Sequence, residues 1–118
     1  RFKSESNIST TPLVIDDTMF LGNSTGTFYA LNRITGEKIW DKKLSSSQIY
    51  QPFMMDSKMY ISTGNNLYSL SIPKEGKIAW TFGFETRVST APSAMGNHIF
   101  VGLANGILYS LKEDIYKD

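Results

Sequence analysis

The 118-residue sequence contains no cysteine and a single histidine, His98. These absences exclude disulfide bonds, cysteine nucleophiles and metal sites built from thiolates or from several imidazoles. No apolar run approaches the ~20 residues that a membrane-spanning helix requires, so direct membrane insertion is not predicted. Twelve Lys and Arg side chains against eleven Asp and Glu give a net charge of +1, which provides no electrostatic basis for binding nucleic acid.

A 40-residue repeat organises the sequence. Pro12, Pro52 and Pro92 are spaced by 40 residues, and each is followed by short apolar segments rich in Tyr, Phe, Ile and Val. The segments are too short for helices, and clusters of Gly, Asn and Asp separate them, as in tight hairpins. The pattern therefore predicts four short antiparallel strands per repeat and essentially no helix.

Four strands per roughly 40 residues are typical of β-propeller blades. We predict an all-β chain of about three blades, forming one segment over residues 1–118. Its parts are the end of a preceding repeat (1–11), two full repeats (12–51 and 52–91) and a truncated repeat (92–118). A WD-repeat propeller is not favoured, because the dipeptide Trp40-Asp41 does not recur at Trp80.

The end of the first full repeat carries a motif. The run from Ala30 to Trp40 resembles the tryptophan-docking motif of PQQ-like propeller repeats, which reads Ala, x, Asp, x, x, Thr, Gly, three variable residues, Trp. It departs only at Asn32, where the family usually has Asp. The resemblance implies that the glycines lie in a turn where a side chain would clash, and that the tryptophans pack between blades. The blade-docking residues so implied are Ala30, Thr35, Gly36, Trp40, Gly76 and Trp80.

No residue pattern indicates catalysis. His98 falls at a predicted hairpin corner without Ser and Asp partners, and acidic residues such as Glu113 are predicted to be solvated turn carboxylates. The family includes quinoprotein dehydrogenases, which hold pyrroloquinoline quinone (PQQ) against a vicinal disulfide. A chain without cysteine cannot form that disulfide, so we predict no cofactor, no metal and no enzyme activity for this chain.

The non-enzymatic members that the sequence most resembles are BamB-type outer-membrane assembly propellers. The resemblance implies a non-catalytic scaffold or protein–protein interaction module in outer-membrane protein assembly, with protein partners and a periplasmic or other extracytoplasmic location. Two alternatives stay open. One is a ligand- or stress-sensing extracytoplasmic propeller of a receptor, and the other is a fragment of a PQQ-dependent dehydrogenase.

Propeller closure requires additional blades, because closed propellers typically have 4–8 of them. We expect the remaining blades to come from a longer chain or from a homodimer. Phe2 aligns with Phe82 of the second repeat, so residues 1–5 are available to supply the outer strand that the truncated repeat lacks.

Overall fold

The computed structural model describes residues 1–71 and 76–113. Within these residues, eleven strands form three antiparallel sheets, each with its strands in chain order. Sheet 1 comprises β1 (Leu13–Ile15), β2 (Thr18–Gly22), β3 (Thr27–Asn32) and β4 (Lys38–Lys43). Sheet 2 comprises β5 (Phe53–Met55), β6 (Lys58–Thr63), β7 (Asn66–Ser71) and β8 (Lys77–Gly83). Sheet 3 comprises β9 (Ser93–Met95), β10 (His98–Gly102) and β11 (Leu108–Lys112).

The all-β prediction is confirmed. Residues 1–71 and 76–113 contain no helix, and therefore none that could cross a membrane. The innermost strand of each sheet begins directly after one of the three spaced prolines, where a missing N–H removes no ladder hydrogen bond. A tight hairpin then follows, and its first residue has positive φ at Asp16 (54°), Asp56 (57°) and Gly96 (63°). Asp and Gly tolerate this conformation, which two-residue hairpins require.

A β-bulge lies beside the tryptophan of each complete outer strand. The pairing of β3 with β4 skips Ile39, and the pairing of β7 with β8 skips Ala79. A bulge places two residues opposite one and so changes which face the following side chains point to. The same irregularity therefore orients Trp40 and Trp80 in the same way in their two sheets.

The hydrophobic core lies between the sheets. The two faces of β6 show this arrangement, because Met59 and Ile61 belong to the cluster shared with sheet 1, whereas Tyr60 belongs to the cluster shared with sheet 3. Alternation along the strand thus buries both faces of sheet 2. The larger cluster joins sheets 1 and 2 and consists of Phe20, Phe28, Ala30, Ile49, Met59, Ile61, Tyr68 and Leu70. We call the contact of sheets 1 and 2 the first junction and that of sheets 2 and 3 the second junction.

The connections between sheets are also part of the core. Ile49 follows sheet 1 and bridges Thr63 of sheet 2, and its side chain is fully buried against Gly22 of sheet 1. Val88 repeats this arrangement between sheets 2 and 3, where it bridges Leu103. Each connection therefore fills the gap between two sheets.

Residues 1–5 lie against sheet 1. The Phe2 ring meets the Tyr29 ring edge-on, with 4.8 Å between centroids and 68° between planes. In the described part of the chain these residues form no strand with sheet 3. Their use as an outer strand for sheet 3 stays a prediction.

The buried Ser69 hydroxyl has no hydrogen-bond partner among the residues that the structure describes, and Ser69 stands where the docking motif has alanine. We expect Ser69→Ala to raise the free energy of unfolding by about 1 kcal/mol, because an unsatisfied buried hydroxyl is removed. Ser62→Ala is the matched control, since the equally buried Ser62 hydroxyl donates to the Thr90 carbonyl at 2.6 Å. It should lower stability by about 1 kcal/mol. Urea unfolding measures the change in the free energy of unfolding for both variants. Changes of the same sign would contradict the prediction.

Candidate functional site

The first junction is built around Trp40. The indole is half-buried beneath the rings of Phe20 and Phe28, each with its centroid 6.1 Å away. Gly76 of the sheet 2 repeat also lies against the indole, and a Cβ built on that glycine would come within 2.2 Å of Trp40 Cζ2. The tryptophan of one sheet therefore contacts the glycine that precedes the outer strand of the next sheet.

Gly36 occupies the corresponding turn of sheet 1 but has a different environment. Both glycines adopt positive φ, 77° at Gly36 and 64° at Gly76. In the described part of the chain, a Cβ on Gly36 would meet nothing within 4 Å, and no tryptophan lies against this glycine. The steric clash predicted at this position therefore stays a prediction. The positive φ by itself already favours glycine at Gly36.

The remaining motif residues shape the β3–β4 turn and its packing. Ala30 is fully buried and pairs with Trp40 across the ladder. Asn32 Oδ1 accepts hydrogen bonds from the backbone N–H groups of Ile34 (2.8 Å) and Thr35 (2.9 Å). The Thr35 hydroxyl in turn accepts one from the Glu37 N–H at 3.2 Å. Asn at position 32 thus supplies the same kind of acceptor as the Asp that the motif usually carries.

The second junction is polar at one end. Trp80 Nε1 donates to Glu113 Oε2 at 2.9 Å, and the Tyr60 hydroxyl donates to Glu113 Oε1 at 2.5 Å. Lys58 Nζ lies 3.2 Å from Oε2. Only 12% of the Glu113 side chain is exposed, so its predicted role as a solvated turn carboxylate is wrong. We call Lys58, Tyr60, Trp80 and Glu113 the Glu113 cluster.

The environment shifts the pKa values of both acids in this cluster. Burial alone would raise the pKa of Glu113, but hydrogen bonds from Tyr60, Trp80 and Lys58, together with the Lys58 charge, outweigh burial and lower it. Burial, and then the hydrogen bond to Glu113, raises the pKa of Tyr60 well above its usual range. The folded chain therefore favours an ionised carboxylate beside a neutral phenol.

Sequence reasoning overlooked this cluster, although one signal was present. Tyr60 stands where the other repeats have Phe20 and Phe100. A hydroxyl added to a buried aromatic position requires a hydrogen-bond partner, which the Phe positions do not need. The partner comes from the following repeat, 53 residues along the chain.

The chain also has clefts in its surface. One cleft, of about 370 Å³, is lined by Phe2, Tyr29 and an ion pair in which Lys38 Nζ is 2.6 Å from Asp41 Oδ2. That hydrogen bond raises the pKa of the exposed Lys38. His98 is exposed at the start of β10. Among residues 1–71 and 76–113, no three His, Asp or Glu side chains come together as metal ligands would.

Comparison with known proteins places this geometry in a family. The family model described as "Outer membrane protein assembly factor BamB" matches residues 24–114. The chain belongs to this BamB family of PQQ-like β-propellers. The outer membrane protein assembly factor BamB of Yersinia pestis is 26% identical over 93 residues, which cover 75% of this chain and 24% of that protein. The chain thus spans about a quarter of the length of that relative.

Solved structures show the same fold. The crystal structure of BamB from Moraxella catarrhalis superposes with a TM-score of 0.68 at 19% identity, over 87% of this chain and 31% of that one. A quinohemoprotein alcohol dehydrogenase from Pseudomonas putida HK5 gives a TM-score of 0.78 at 17% identity, over 94% of this chain and 20% of that one. Propellers of the BamB family and of the dehydrogenases thus share the sheet arrangement described above.

Substitution of Gly76 tests the contact with Trp40. Gly76→Ala should lower the free energy of unfolding by about 3 kcal/mol, because it combines left-handed strain with overlap of the new Cβ and the indole. Gly36→Ala is the matched control, because it introduces the same left-handed strain without an overlap of the new Cβ with a neighbour. It should lower the free energy of unfolding by only about 1 kcal/mol. Urea unfolding measures the difference. Equal losses would show that the indole moves aside freely.

Removal of Trp40 tests the first junction as a whole. Trp40→Ala should lower the free energy of unfolding by about 3 kcal/mol, because it leaves a cavity between two sheets. The neighbouring Ile39 lies in the bulge with 53% of its surface exposed. Ile39→Ala should therefore change stability by less than about 0.5 kcal/mol. A loss below about 1 kcal/mol for Trp40→Ala would contradict packing between the sheets.

Proposed function

We propose that this chain is a non-catalytic β-propeller scaffold that presents its loops to protein partners in outer-membrane protein assembly. The observation that carries the proposal is the BamB family match over residues 24–114. The described residues support it, because their buried side chains hold neighbouring sheets together. The location that follows is extracytoplasmic, in the periplasm.

The scaffold works by rigidity. Six residues have the role of fixing neighbouring blades at a constant angle: Ala30, Thr35, Gly36, Trp40, Gly76 and Trp80. The loops at the two ends of the sheets are then displayed in fixed positions, and a partner recognises them without the scaffold rearranging.

Additional blades complete the scaffold. Met95 and Leu108 of sheet 3 are 78% and 71% exposed. Their repeat counterparts on sheets 1 and 2 include Phe28 and Leu67, which are fully buried at the two junctions. The apolar face of sheet 3 therefore has the character of a surface that another blade covers, supplied by a longer chain or by a second copy.

The two ends of sheet 1 offer partners different chemistry. The end formed by the β1–β2 and β3–β4 turns exposes the charged side chains of Asp16, Asp17, Arg33 and Glu37. The opposite end, formed by the β2–β3 hairpin and the connection to sheet 2, carries hydroxyl and amide groups at its surface: Ser24, Thr25, Ser45, Ser46, Ser47 and Gln48. A partner that binds one end by charge and another that binds the other end by neutral hydrogen bonds can occupy the same scaffold.

Complementation tests the proposed function. The full gene that encodes this chain is expressed in a bacterium that lacks its own BamB, and folded outer-membrane proteins are measured by heat-modifiable electrophoresis. We expect restored folding, and we expect the Trp40→Ala, Trp80→Ala double variant to lose it. Absence of rescue at normal abundance would contradict the scaffold function. Reduction of a dye in the presence of an alcohol substrate would also contradict it, if the reduction requires added PQQ and calcium, because that activity indicates a dehydrogenase.

A further inference from the structure

The Glu113 cluster distinguishes the second junction from the first. Glu113 follows the last residue of β11, and its carboxylate reaches Tyr60 and Trp80 of sheet 2. Its backbone N–H donates to the Asn97 carbonyl at 2.6 Å, which attaches the residue to the β9–β10 hairpin of its own sheet. The carboxylate is therefore held by sheet 3 and hydrogen-bonded by sheet 2.

The first junction has different groups at these positions. Phe20 replaces Tyr60 and has no hydroxyl, and its ring packs on Trp40 at 6.1 Å. The repeat counterparts of Glu113 at that junction are residues 72 and 73, which lie outside the described residues and are isoleucine and proline in the sequence. Neither carries a carboxylate. In the part of the chain that the structure describes, the Trp40 indole packs against Phe20 and Phe28, and no carboxylate is hydrogen-bonded to it.

We propose that the ionised Glu113 carboxylate fixes sheet 3 on sheet 2 and makes the second junction open selectively in acid. Two charge-assisted hydrogen bonds and one ion pair join the sheets through this single group. Such bonds to an ionised acceptor are about twice as strong as neutral ones. Protonation removes the ion pair with Lys58 and weakens both hydrogen bonds at once. The device is independent of which partner the scaffold binds.

The charges around the carboxylate favour its ionised form. Lys58 on β6 is the cation in contact with the carboxylate. The charge of Asp56, in the preceding turn, contributes to the raised pKa of Tyr60. On sheet 3, Lys112 adjoins Glu113 in the chain, and His98 pairs with Lys112 across the ladder. Of these four groups, Asp56 alone is acidic, and the Trp80 indole donates its hydrogen bond to Glu113.

The sign of the pH dependence follows from the lowered pKa of Glu113. A carboxyl whose pKa is lower in the folded chain stabilises it fully above the ordinary pKa of about 4.3. That stabilisation declines as the pH falls below about 4 and is lost below the lowered pKa of the folded chain. The second junction is therefore closed at neutral pH and opens in acid.

Amide hydrogen exchange, measured for each strand in the wild type and in Glu113→Gln, tests the proposal. At pH 7 the amides of β9, β10 and β11 should exchange about tenfold faster than in the wild type, while those of sheet 1 keep their rates. The difference should shrink as the pH falls below about 4, because the wild-type carboxyl then becomes neutral as well. Glu37→Gln is the matched control, since it makes the same chemical change at an exposed turn and should leave every sheet unchanged.

A second variant keeps the test decisive if Glu113→Gln disturbs the whole chain. Tyr60→Phe retains the packed ring and removes one hydrogen bond, so it should accelerate exchange in sheet 3 by a smaller factor. The effect of Glu113→Gln should also be smaller when Tyr60→Phe is already present, since both act through one cluster. Equal acceleration of sheets 1 and 3, additive effects of the two substitutions, or a difference that persists unchanged at pH 3 would overturn the proposal.

Discussion

Burial of both faces of a small sheet is the constraint on which this structure depends. A four-stranded sheet with apolar residues on both faces is not stable alone in water, because only a neighbouring sheet can cover each face. Sheet 2 shows the solution, since Met59 and Ile61 pack towards sheet 1 and Tyr60 packs towards sheet 3. The strand alternation, the bulge at each tryptophan and the buried connections all serve this stacking. Each of these features is repeated because every sheet meets the same constraint.

A tryptophan and a glycine are in close contact at the first junction. Trp40 fills the space next to Gly76 so closely that even one methyl group would overlap the indole. A large flat ring needs a neighbour without a side chain, and the left-handed turn at Gly76 provides that neighbour for two reasons at once. The glycine of one repeat is thus explained by the tryptophan of the previous repeat. At Gly36, the left-handed backbone by itself already favours glycine.

The architecture was predictable from the sequence because the repeat is encoded locally. The spaced prolines, the turn residues such as Asp16 and Gly96, and the short apolar runs each act within about ten residues, and they agree across three repeats. The Glu113 cluster was not predictable in the same way, because its members come from β6, β8 and the end of β11. Its single local sign was the hydroxyl of Tyr60 at a position where other repeats have phenylalanine. The open surroundings of Gly36 were not predictable locally either, because they depend on what packs against this glycine and not on its own turn.

Repetition with local differences gives the junctions unequal properties. An apolar contact such as that of Phe20 with Trp40 is insensitive to pH, whereas a contact centred on a carboxylate depends on its ionisation. A buried polar group also restricts which neighbour fits, because a sheet without a matching acceptor would leave Tyr60 and Trp80 with unsatisfied donors. A polar junction therefore requires a matching acceptor on the neighbouring sheet, whereas an apolar contact has no such requirement.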